Sequence, residues 1–489
     1  MSKPTTFTAD LRSVAIPLRQ PWQWCVGSGH ATLALRADWQ THLAQARRDL
    51  GFHHVRFHGI LGDDMGTLIC QSAEPLYSFF NTDRIFDFLL SIGMKPVVEL
   101  SFMPRALSSG GNTVFHYRGN ITPPKDYAQW GELIRRLAGH WVERYGIEEV
   151  SQWIFECWNE PNLKQFWAGG QADYFQLYRS TALAIKSVDQ RLAIGGPATA
   201  ANAWIDEFLS YCAKARIAAD FVSTHYYPTD AFGAIDADTI SQLEHSPPGV
   251  MRTRALEARA AAGKRPLYYT EWSVSSKPHD PLHDSCSAAA LAVRIAMSVD
   301  DVVDGYSYWT FSDIFEESYF PSVPFHGGFG MMNLYGIPKP IYRAFQMLRG
   351  LGNELVAATG EHATVAMWVG SAVGRREEAT DVVLINQAMP GHAIGNESVR
   401  LRVMHAANMK AKTMTIARVD DTHANPERAW REMGAPTYLK PAQVAALVTA
   451  SEVTPEPIQF VASAGALEID LVLAPQSVNH LLVEWVPSM

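Results

Sequence analysis

A chain of 489 residues is too long for one ordinary domain and long enough for a large barrel with a smaller module beside it. Hydrophobic residues make up 47% and charged residues 19% of the chain, which excludes wholesale disorder. The net charge of -9 argues against nucleic acids and anionic membranes as partners.

The first 345 residues alternate short apolar runs with helical patterns, which is typical of repeated βα units. The predicted strands cover residues 22–27, 54–59, 95–102, 153–158, 192–196, 221–227, 266–271 and 305–311. Helices are predicted after the first seven of them, at about 38–50, 83–92, 126–145, 172–188, 204–215, 249–262 and 285–299. Eight such units predict a (β/α)8 TIM barrel. A doubly wound sheet is the alternative, but residues 27–30 are too weak a phosphate-binding turn for it.

Beyond about residue 350 the pattern changes to alternating or short apolar runs separated by Gly, Pro and Asn, which predicts a β-sandwich. Its predicted strands cover residues 365–369, 381–386, 398–405, 412–419, 458–460 and 481–485. We therefore expect a catalytic barrel over residues 1–345 and a β-sandwich over residues 346–489, packed directly on one another. The sequence also permits the first 20 or so residues to pair with the sandwich.

The N-terminus lacks the apolar run of a secretory signal, and nowhere do about 18 apolar residues follow one another. We therefore expect a soluble, cytoplasmic protein. The five cysteines have neither metal-ligand nor redox spacing, which favours buried free thiols. Asp63 and Asp64 are interpreted as acids that order a loop, so we expect no metal and no cofactor.

Two short motifs carry most of the functional information. Trp-Asn-Glu-Pro at residues 158–161 and Tyr-Thr-Glu-Trp at residues 269–272 each close a predicted strand, the fourth and the seventh. They place Glu160 and Glu271 at the carboxyl ends of strands, where barrel enzymes hold their active sites. A pair of carboxylates so placed is what glycosidic bond cleavage requires. The distance between the two groups, which separates retaining from inverting enzymes, is not readable from the sequence.

The surroundings suggest different roles for the two carboxyl groups. A general acid needs a raised pKa, and the aromatic side chains of residues 158, 166 and 167 near Glu160 could provide apolar walls. An ionised Glu271, with Tyr227 as a hydrogen-bonding partner, could attack an anomeric carbon. Glu99 and Glu156 are expected to be structural, with Arg56 as a candidate partner for Glu156.

Three segments, taken in order, are similar to glycoside hydrolase family 39 of clan A, and most of all to its bacterial β-xylosidases. They are Asn-Ile-Thr-Pro-Pro at 120–124, Phe-Glu-Cys-Trp-Asn-Glu-Pro-Asn-Leu at 155–163 and Ser-Thr-His-Tyr-Tyr-Pro at 223–228. The resemblance runs through the barrel, from residues 55–59 to residues 309–313. It implies a retaining enzyme, with the acid/base after strand four and the nucleophile after strand seven.

The resemblance also implies a role for each matching residue. Glu160 would be the acid/base, and Glu271 the nucleophile. The implied sugar-binding residues are His58 for a ring hydroxyl, Asn159 for the 2-hydroxyl, His225 and Tyr227 beside the nucleophile, Trp309 as the apolar floor, and Glu316 and Glu317 for the distal hydroxyls.

The family divides chiefly between xylosides and iduronides, and a uronate needs a cation near its carboxylate. The loop after strand eight carries Asp313, Glu316 and Glu317, and the loop after strand seven offers only Lys277. We therefore expect an exo-acting β-D-xylosidase that releases xylose from xylo-oligosaccharides. An α-L-iduronidase-like or other clan A β-glycosidase is the alternative, and a non-catalytic carbohydrate-binding barrel is the remote one. The expected partner of the protein is a carbohydrate. The sequence leaves open whether the chain forms a homo-oligomer.

Overall fold

The computed structural model describes residues 3–70, 75–230, 238–317, 320–370, 379–463 and 465–487. Eight parallel strands close into a barrel in which each strand pairs with its neighbours in the sequence. They are β1 (Cys25–His30), β2 (His54–His58), β3 (Lys95–Leu100), β4 (Ile154–Cys157), β5 (Ala193–Ala200), β6 (Phe221–His225), β7 (Leu267–Trp272) and β8 (Gly305–Tyr308). The predicted TIM barrel is therefore confirmed.

One long α-helix follows each strand of the barrel. These helices are Ala37–Leu50, Phe80–Ser91, Tyr127–Tyr145, Gln171–Val188, Ile205–Ala215, Val250–Ala262, Cys286–Ser298 and Pro340–Gly350, with the shorter helices Ile147–Val150 and Thr239–His245 between them. Their ends follow local chemistry, since Asp126 and Ser285 accept bonds from backbone N–H groups at their helix N-termini. Among the described residues, no helix combines the length and the apolar character needed to cross a bilayer.

The first strand is shifted along the chain from its predicted position. The structure places β1 at Cys25–His30, so the predicted strand at 22–27 begins three residues too early. Residues Pro21–Gln23 form a turn of 3-10 helix instead, with a proline at its first position, where a missing N–H is tolerated. Part of the apolar run at residues 22–27 therefore belongs to this turn and not to the strand.

Two antiparallel-rich sheets lie beside the barrel. The five-stranded sheet has the order Ala358–Thr359, Thr5–Asp10, Glu397–Met404, Ala466–Leu473, Val461–Ser463. The seven-stranded sheet has the order Ile16–Pro17, Glu354–Val356, Val365–Gly370, Ala379–Asn386, Ser477–Pro487, Met409–Val419, Glu456–Pro457. Both sheets contribute to one apolar core, which contains Phe7 and Leu401 from the first and Leu384 and Leu481 from the second. This is the predicted β-sandwich, and the N-terminal strand Thr5–Asp10 belongs to it.

The segment between the last strands of the sandwich differs from the prediction. Two helices, Pro426–Glu432 and Pro441–Ala450, interrupt the strands, and each begins with a proline. The strand predicted at 458–460 is wrong, because that segment lies between the short strands Glu456–Pro457 and Val461–Ser463.

The sandwich packs directly on the barrel. Val383, Ile385 and Val478 of the seven-stranded sheet belong to the same apolar core as the barrel helices. The predicted boundary at residue 345 falls inside the helix Pro340–Gly350, which covers the barrel after β8. We propose that the domain division follows this helix and that the sandwich also takes the N-terminal strand.

All five cysteines carry free thiols. Four of them, at positions 25, 157, 212 and 286, are buried, as expected, and burial raises the pKa of the Cys157 thiol to about 12. Cys70 is exposed, so the expectation of burial is wrong at that position.

Candidate active site

Glu160 and Glu271 meet at the carboxyl-terminal rim of the barrel. Glu160 follows the end of β4, and Glu271 is the penultimate residue of β7. An oxygen of each carboxyl group and a ring nitrogen of His225 all lie within 4.8 Å of one another. Retaining glycosidases hold their two carboxyl groups about 5 Å apart, whereas inverting enzymes need roughly 6.5–9.5 Å to admit a water. So close an approach of the two carboxyl groups fits the retaining arrangement better than the inverting one.

The backbone of Glu160 is bent out of the strand direction at this rim. Its φ is +43°, and its N–H donates to the carbonyl oxygen of Ala198 on β5 at 2.8 Å. The side chain is nearly buried, and burial raises the pKa of Glu160 to about 7, against the opposing charges of His58 and Arg56. At this pKa the protonated form of Glu160 persists towards neutral pH, which is what a general acid requires.

Glu271 is held by two donors from different strands. The guanidinium of Arg56 on β2 donates to Oε1 at 2.7 Å, and the hydroxyl of Tyr227 donates to Oε2 at 3.0 Å. The predicted contact with Tyr227 is confirmed. Because both oxygens accept hydrogen bonds, the carboxylate is kept in one orientation towards the cavity.

Arg56 connects the polar groups below the two glutamates. Its side chain is fully buried, and its guanidinium donates to Glu156 Oε2 at 2.6 Å and to Asn159 Oδ1 at 2.9 Å, besides pairing with Glu99 at 2.9 Å. The predicted pairing of Glu156 with Arg56 is thereby confirmed. One cation thus compensates several buried acids, which is a condition for keeping them charged away from water.

His58 at the end of β2 is a buried cation that faces the cavity. Its Nδ1 lies 2.6 Å from Glu99, and its Nε2 lies 3.4 Å from Glu317 and 3.7 Å from Glu271. Burial opposes protonation of His58, but these carboxylates outweigh it and raise the pKa of His58 to about 9. Burial likewise raises the pKa of Glu317 to about 8, so the protonated side chain can donate a hydrogen bond to a sugar hydroxyl.

A cavity of about 1040 Å³ opens above the two glutamates. Most of the residues proposed from the sequence line it, namely His58, Asn159, Glu160, Tyr227, Glu271, Trp309 and Glu317. Trp309 packs against β1, where a Cβ at Gly27 would lie 2.2 Å from its ring, so the tryptophan position requires glycine there.

The two other residues proposed from the sequence lie elsewhere. His225 is fully buried behind Glu160, and its Nδ1 is 2.9 Å from Glu160 Oε1 and 3.6 Å from Glu271 Oε2. Glu316 lines a smaller neighbouring cavity, and its carboxylate pairs with Arg36. The acids Asp63 and Asp64 order their loop, accepting from Arg105 N and from Thr32 Oγ1 at 3.0 Å each.

Sequence reasoning missed several residues that line the cavity. Phe115 and Phe329 lie in the long loops after β3 and β8, and Arg254 lies on the helix after β6. Such loop residues carry no periodic signal, because their position depends on how the loop folds over the rim. The large size of these loops was the one available indication that they shape the site.

Comparison with known proteins agrees with this geometry. The sequence profile of the Glycosyl hydrolases family 39 matches residues 8–467. A β-xylosidase of Caldicellulosiruptor saccharolyticus is 45% identical over 467 residues, which cover 95% of this chain and 95% of that protein. A β-xylosidase of Geobacillus stearothermophilus is 38% identical over 483 residues, which cover 96% of this chain and 93% of that protein.

A solved structure shares the architecture as well as the sequence. The crystal structure of the GH39 enzyme from Xanthomonas axonopodis pv. citri has a TM-score of 0.88 and 32% identity, covering 99% of this chain and 98% of that one. The family profile thus spans both the barrel and most of the sandwich. The chain belongs to glycosyl hydrolase family 39.

Proposed function

We propose that this protein is a retaining, exo-acting β-D-xylosidase that releases xylose from the non-reducing ends of xylo-oligosaccharides. The observation that carries the proposal is the pair of buried glutamates at the rim, whose nearest oxygens lie within 4.8 Å and whose surroundings differ. The two β-xylosidases that resemble the chain over almost their full length support the choice of sugar.

The reaction follows from the roles of the two carboxyl groups. In the first step Glu271 attacks the anomeric carbon while Glu160 gives its proton to the departing glycosidic oxygen, which leaves a covalent glycosyl-enzyme. In the second step the Glu160 carboxylate takes a proton from water, and the water oxygen displaces Glu271. Two inversions at the same carbon return the sugar with its original β configuration.

Other residues of the cavity are placed to bind the sugar. Asn159 Oδ1 accepts from Arg56, so its Nδ2 remains to donate to the 2-hydroxyl, a contact that strengthens as the oxocarbenium ion develops. Trp309 offers an apolar face to the ring, and His58 and Glu317 offer polar atoms to the remaining hydroxyls. Glu316 is not part of this set, because Arg36 holds its carboxylate.

The charges around Glu271 favour a neutral pentose over a uronate. A uronate would bring its carboxylate towards that of Glu271, and the nearby cation His58 already pairs with Glu99 and Glu271. Arg254, which could attract it, lies on the helix after β6 and pairs with Glu257 at 2.8 Å. An iduronidase therefore fits these surroundings less well than a xylosidase.

The direct test measures initial rates on the nitrophenyl glycosides of β-D-xylose, β-D-glucose and α-L-iduronic acid. We expect the xyloside to be cleaved fastest, and ¹H NMR of the first product to show β-xylose, which mutarotates later. First-formed α-xylose would contradict retention. Cleavage of the iduronide in preference to the xyloside would contradict the sugar assignment and leave the catalytic pair in place.

Replacing Glu160 by alanine tests the acid role. We expect kcat/KM on xylobiose, whose leaving group must be protonated, to fall by about 10²–10⁴-fold. The same parameter on a dinitrophenyl xyloside should change much less, because that leaving group departs as an anion. Equal losses on the two substrates would show that Glu160 is not the acid.

The pH dependence offers a second test of Glu160. Because its pKa is raised to about 7, the acid is present below that pH and is lost as the pH rises through it. We therefore expect kcat/KM on xylobiose to decline above about pH 7, and this decline to be absent for the dinitrophenyl xyloside. Rates on xylobiose that stay constant up to pH 9 would contradict the assignment.

A further inference from the structure

Three buried side chains connect Arg56 to the acid/base. The Thr270 hydroxyl donates to Glu156 Oε1 at 2.7 Å, and Thr270 Oγ1 lies 3.1 Å from His225 Nε2. His225 Nδ1 in turn lies 2.9 Å from Glu160 Oε1. Glu156, Thr270 and His225 are all fully buried.

The direction of each hydrogen bond in this chain follows from the donors available. Both oxygens of Glu156 are acceptors, one for Arg56 and one for the single hydroxyl proton of Thr270. Thr270 Oγ1 can therefore only accept from His225, which places the imidazole proton on Nε2. Burial lowers the pKa of His225 to about 4, so the ring is neutral and its Nδ1 carries a lone pair. That lone pair faces Glu160, and a hydrogen bond forms there only if Glu160 carries the proton.

We propose that Thr270 is a positioning residue that fixes the Nε2–H tautomer of His225 and thereby holds Glu160 in its acid form before the substrate is cleaved. The proposal rests on the proposed function for the role of Glu160 and adds a residue to it. After proton donation the same lone pair faces the Glu160 carboxylate, which favours recovery of a proton from water in the second step.

The shape of β7 explains why Thr270 reaches this position. On β6 and β7, Thr224 is paired with Tyr269 and His225 with Glu271, so Thr270 is an extra residue at an irregularity of the ladder. Regular alternation would turn neighbouring side chains to opposite faces, whereas here Thr270 and Glu271 both contact groups inside the barrel.

Other ionisable groups also act on the two partners. Those facing Glu160 are Arg56, His58, Glu99, Tyr227, Asp230, Glu271 and Glu317; those facing His225 are Arg56, Glu99, Glu156 and Glu271. Among these groups, Glu156 accepts a hydrogen bond from the Thr270 hydroxyl. A substitution that removes only the hydroxyl therefore changes the hydrogen bonds of His225 and Glu156 and leaves the other charged side chains in place.

The first test uses Thr270→Val, which keeps the shape of the side chain and removes the hydroxyl. His225 can then move its proton to Nδ1 and donate to the Glu160 carboxylate, which favours the ionised form. We expect the decline of kcat/KM on xylobiose at high pH to begin about one pH unit lower. Thr270→Ser, which restores a hydroxyl, should return the decline to the parent's pH. An unchanged profile in Thr270→Val would overturn the proposal.

A matched control removes another buried hydroxyl. Thr224 on β6 is equally buried, and its hydroxyl donates to Thr199 O at 2.9 Å, outside the chain that leads to Glu160. Thr224→Val should leave the pH at which the decline begins unchanged. The same shift in Thr224→Val as in Thr270→Val would assign the effect to general loosening of the barrel and overturn the proposal.

The second test needs no turnover and separates this proposal from the proposed function. ¹⁵N NMR of histidine-labelled protein reports the protonated ring nitrogen, with the His225 signal assigned by its loss in His225→Asn. We expect protonation at Nε2 in the unsubstituted protein. Protonation at Nδ1 would overturn the proposal whatever the enzyme cleaves. If Nε2 is protonated but the protein does not cleave xylosides, that result would overturn the proposed function alone.

Discussion

Replacing Glu271 by alanine is expected to lower kcat on every glycoside by about 10⁴-fold or more, because no other group can form the covalent intermediate. Arg56 carries no oxygen on its side chain, and burial raises the pKa of Tyr227 well above its usual value, so the Tyr227 hydroxyl beside Glu271 stays protonated and is a poor nucleophile. The measurement is the initial rate on nitrophenyl β-D-xyloside. An alanine variant as active as the parent would show that the nucleophile is another residue.

Azide rescue distinguishes the two glutamates by stereochemistry. In Glu271→Ala the space left by the side chain admits azide on the nucleophile's face, so we expect α-xylosyl azide. In Glu160→Ala azide attacks the glycosyl-enzyme from the opposite face, so we expect β-xylosyl azide. Glu271→Gln is the matched control, because it fills the space and should be as inactive as alanine without rescue. If Glu271→Ala gave the β-azide and Glu160→Ala gave the α-azide, Glu160 would be the nucleophile and Glu271 the acid/base.

The largest expected loss of stability comes from replacing Arg56 by methionine. Arg56 is fully buried, and its loss leaves Glu99, Glu156 and Glu271 without the cation they share. Breaking a buried pair of this kind lowers the free energy of unfolding by about 3–5 kcal/mol. The stability of Arg56→Lys should lie between those of Arg56→Met and the parent. Lysine keeps the positive charge, but its ammonium cannot make all the hydrogen bonds of the planar guanidinium. The measurement is the midpoint of urea-induced unfolding.

The matched control for this prediction is Arg400→Met on the surface of the sandwich. Arg400 Nε donates to Asp470 at 2.7 Å, but its side chain is 42% exposed. Exposed pairs contribute at most about 1 kcal/mol, so this variant should unfold close to the parent's midpoint. Equal losses in Arg56→Met and Arg400→Met would mean that Arg56 does not compensate the buried acids.

The parts of the fold that were predictable are those with local periodicity. The barrel strands and their helices repeat apolar positions at the spacing of their own secondary structure, so each unit was recognisable by itself. The helix Pro441–Ala450 was missed because it is apolar along most of its length yet buries only Leu447, which leaves no amphipathic stripe. Its position depends on packing against Trp430 of the preceding helix and against Phe325, which is far away in the sequence.

The site was predictable where a motif coincides with a strand end. Glu160, followed by a proline, and Glu271 could be placed at the rim for that reason. Tyr227 followed from its position at the end of the neighbouring strand six, and Asn159 came with the resemblance. Glu316 and Glu317 both came with the resemblance, but only the fold decides that Glu317 faces the cavity and Glu316 faces Arg36. Thr270 could not be found by alternation, since the irregular pairing of β7 reverses its expected direction.

By itself, the sequence determined the barrel, the sandwich and the presence of two glutamates at one rim, because these depend on periodicity and on a proline that stops a strand. Only the tertiary structure decided how close the two carboxyl groups lie, which of them is kept protonated and which is held by donors. These properties come from contacts between distant residues, such as Arg56 with Glu271, which are 215 positions apart. Burial and charge at such contacts exist only once the barrel has closed.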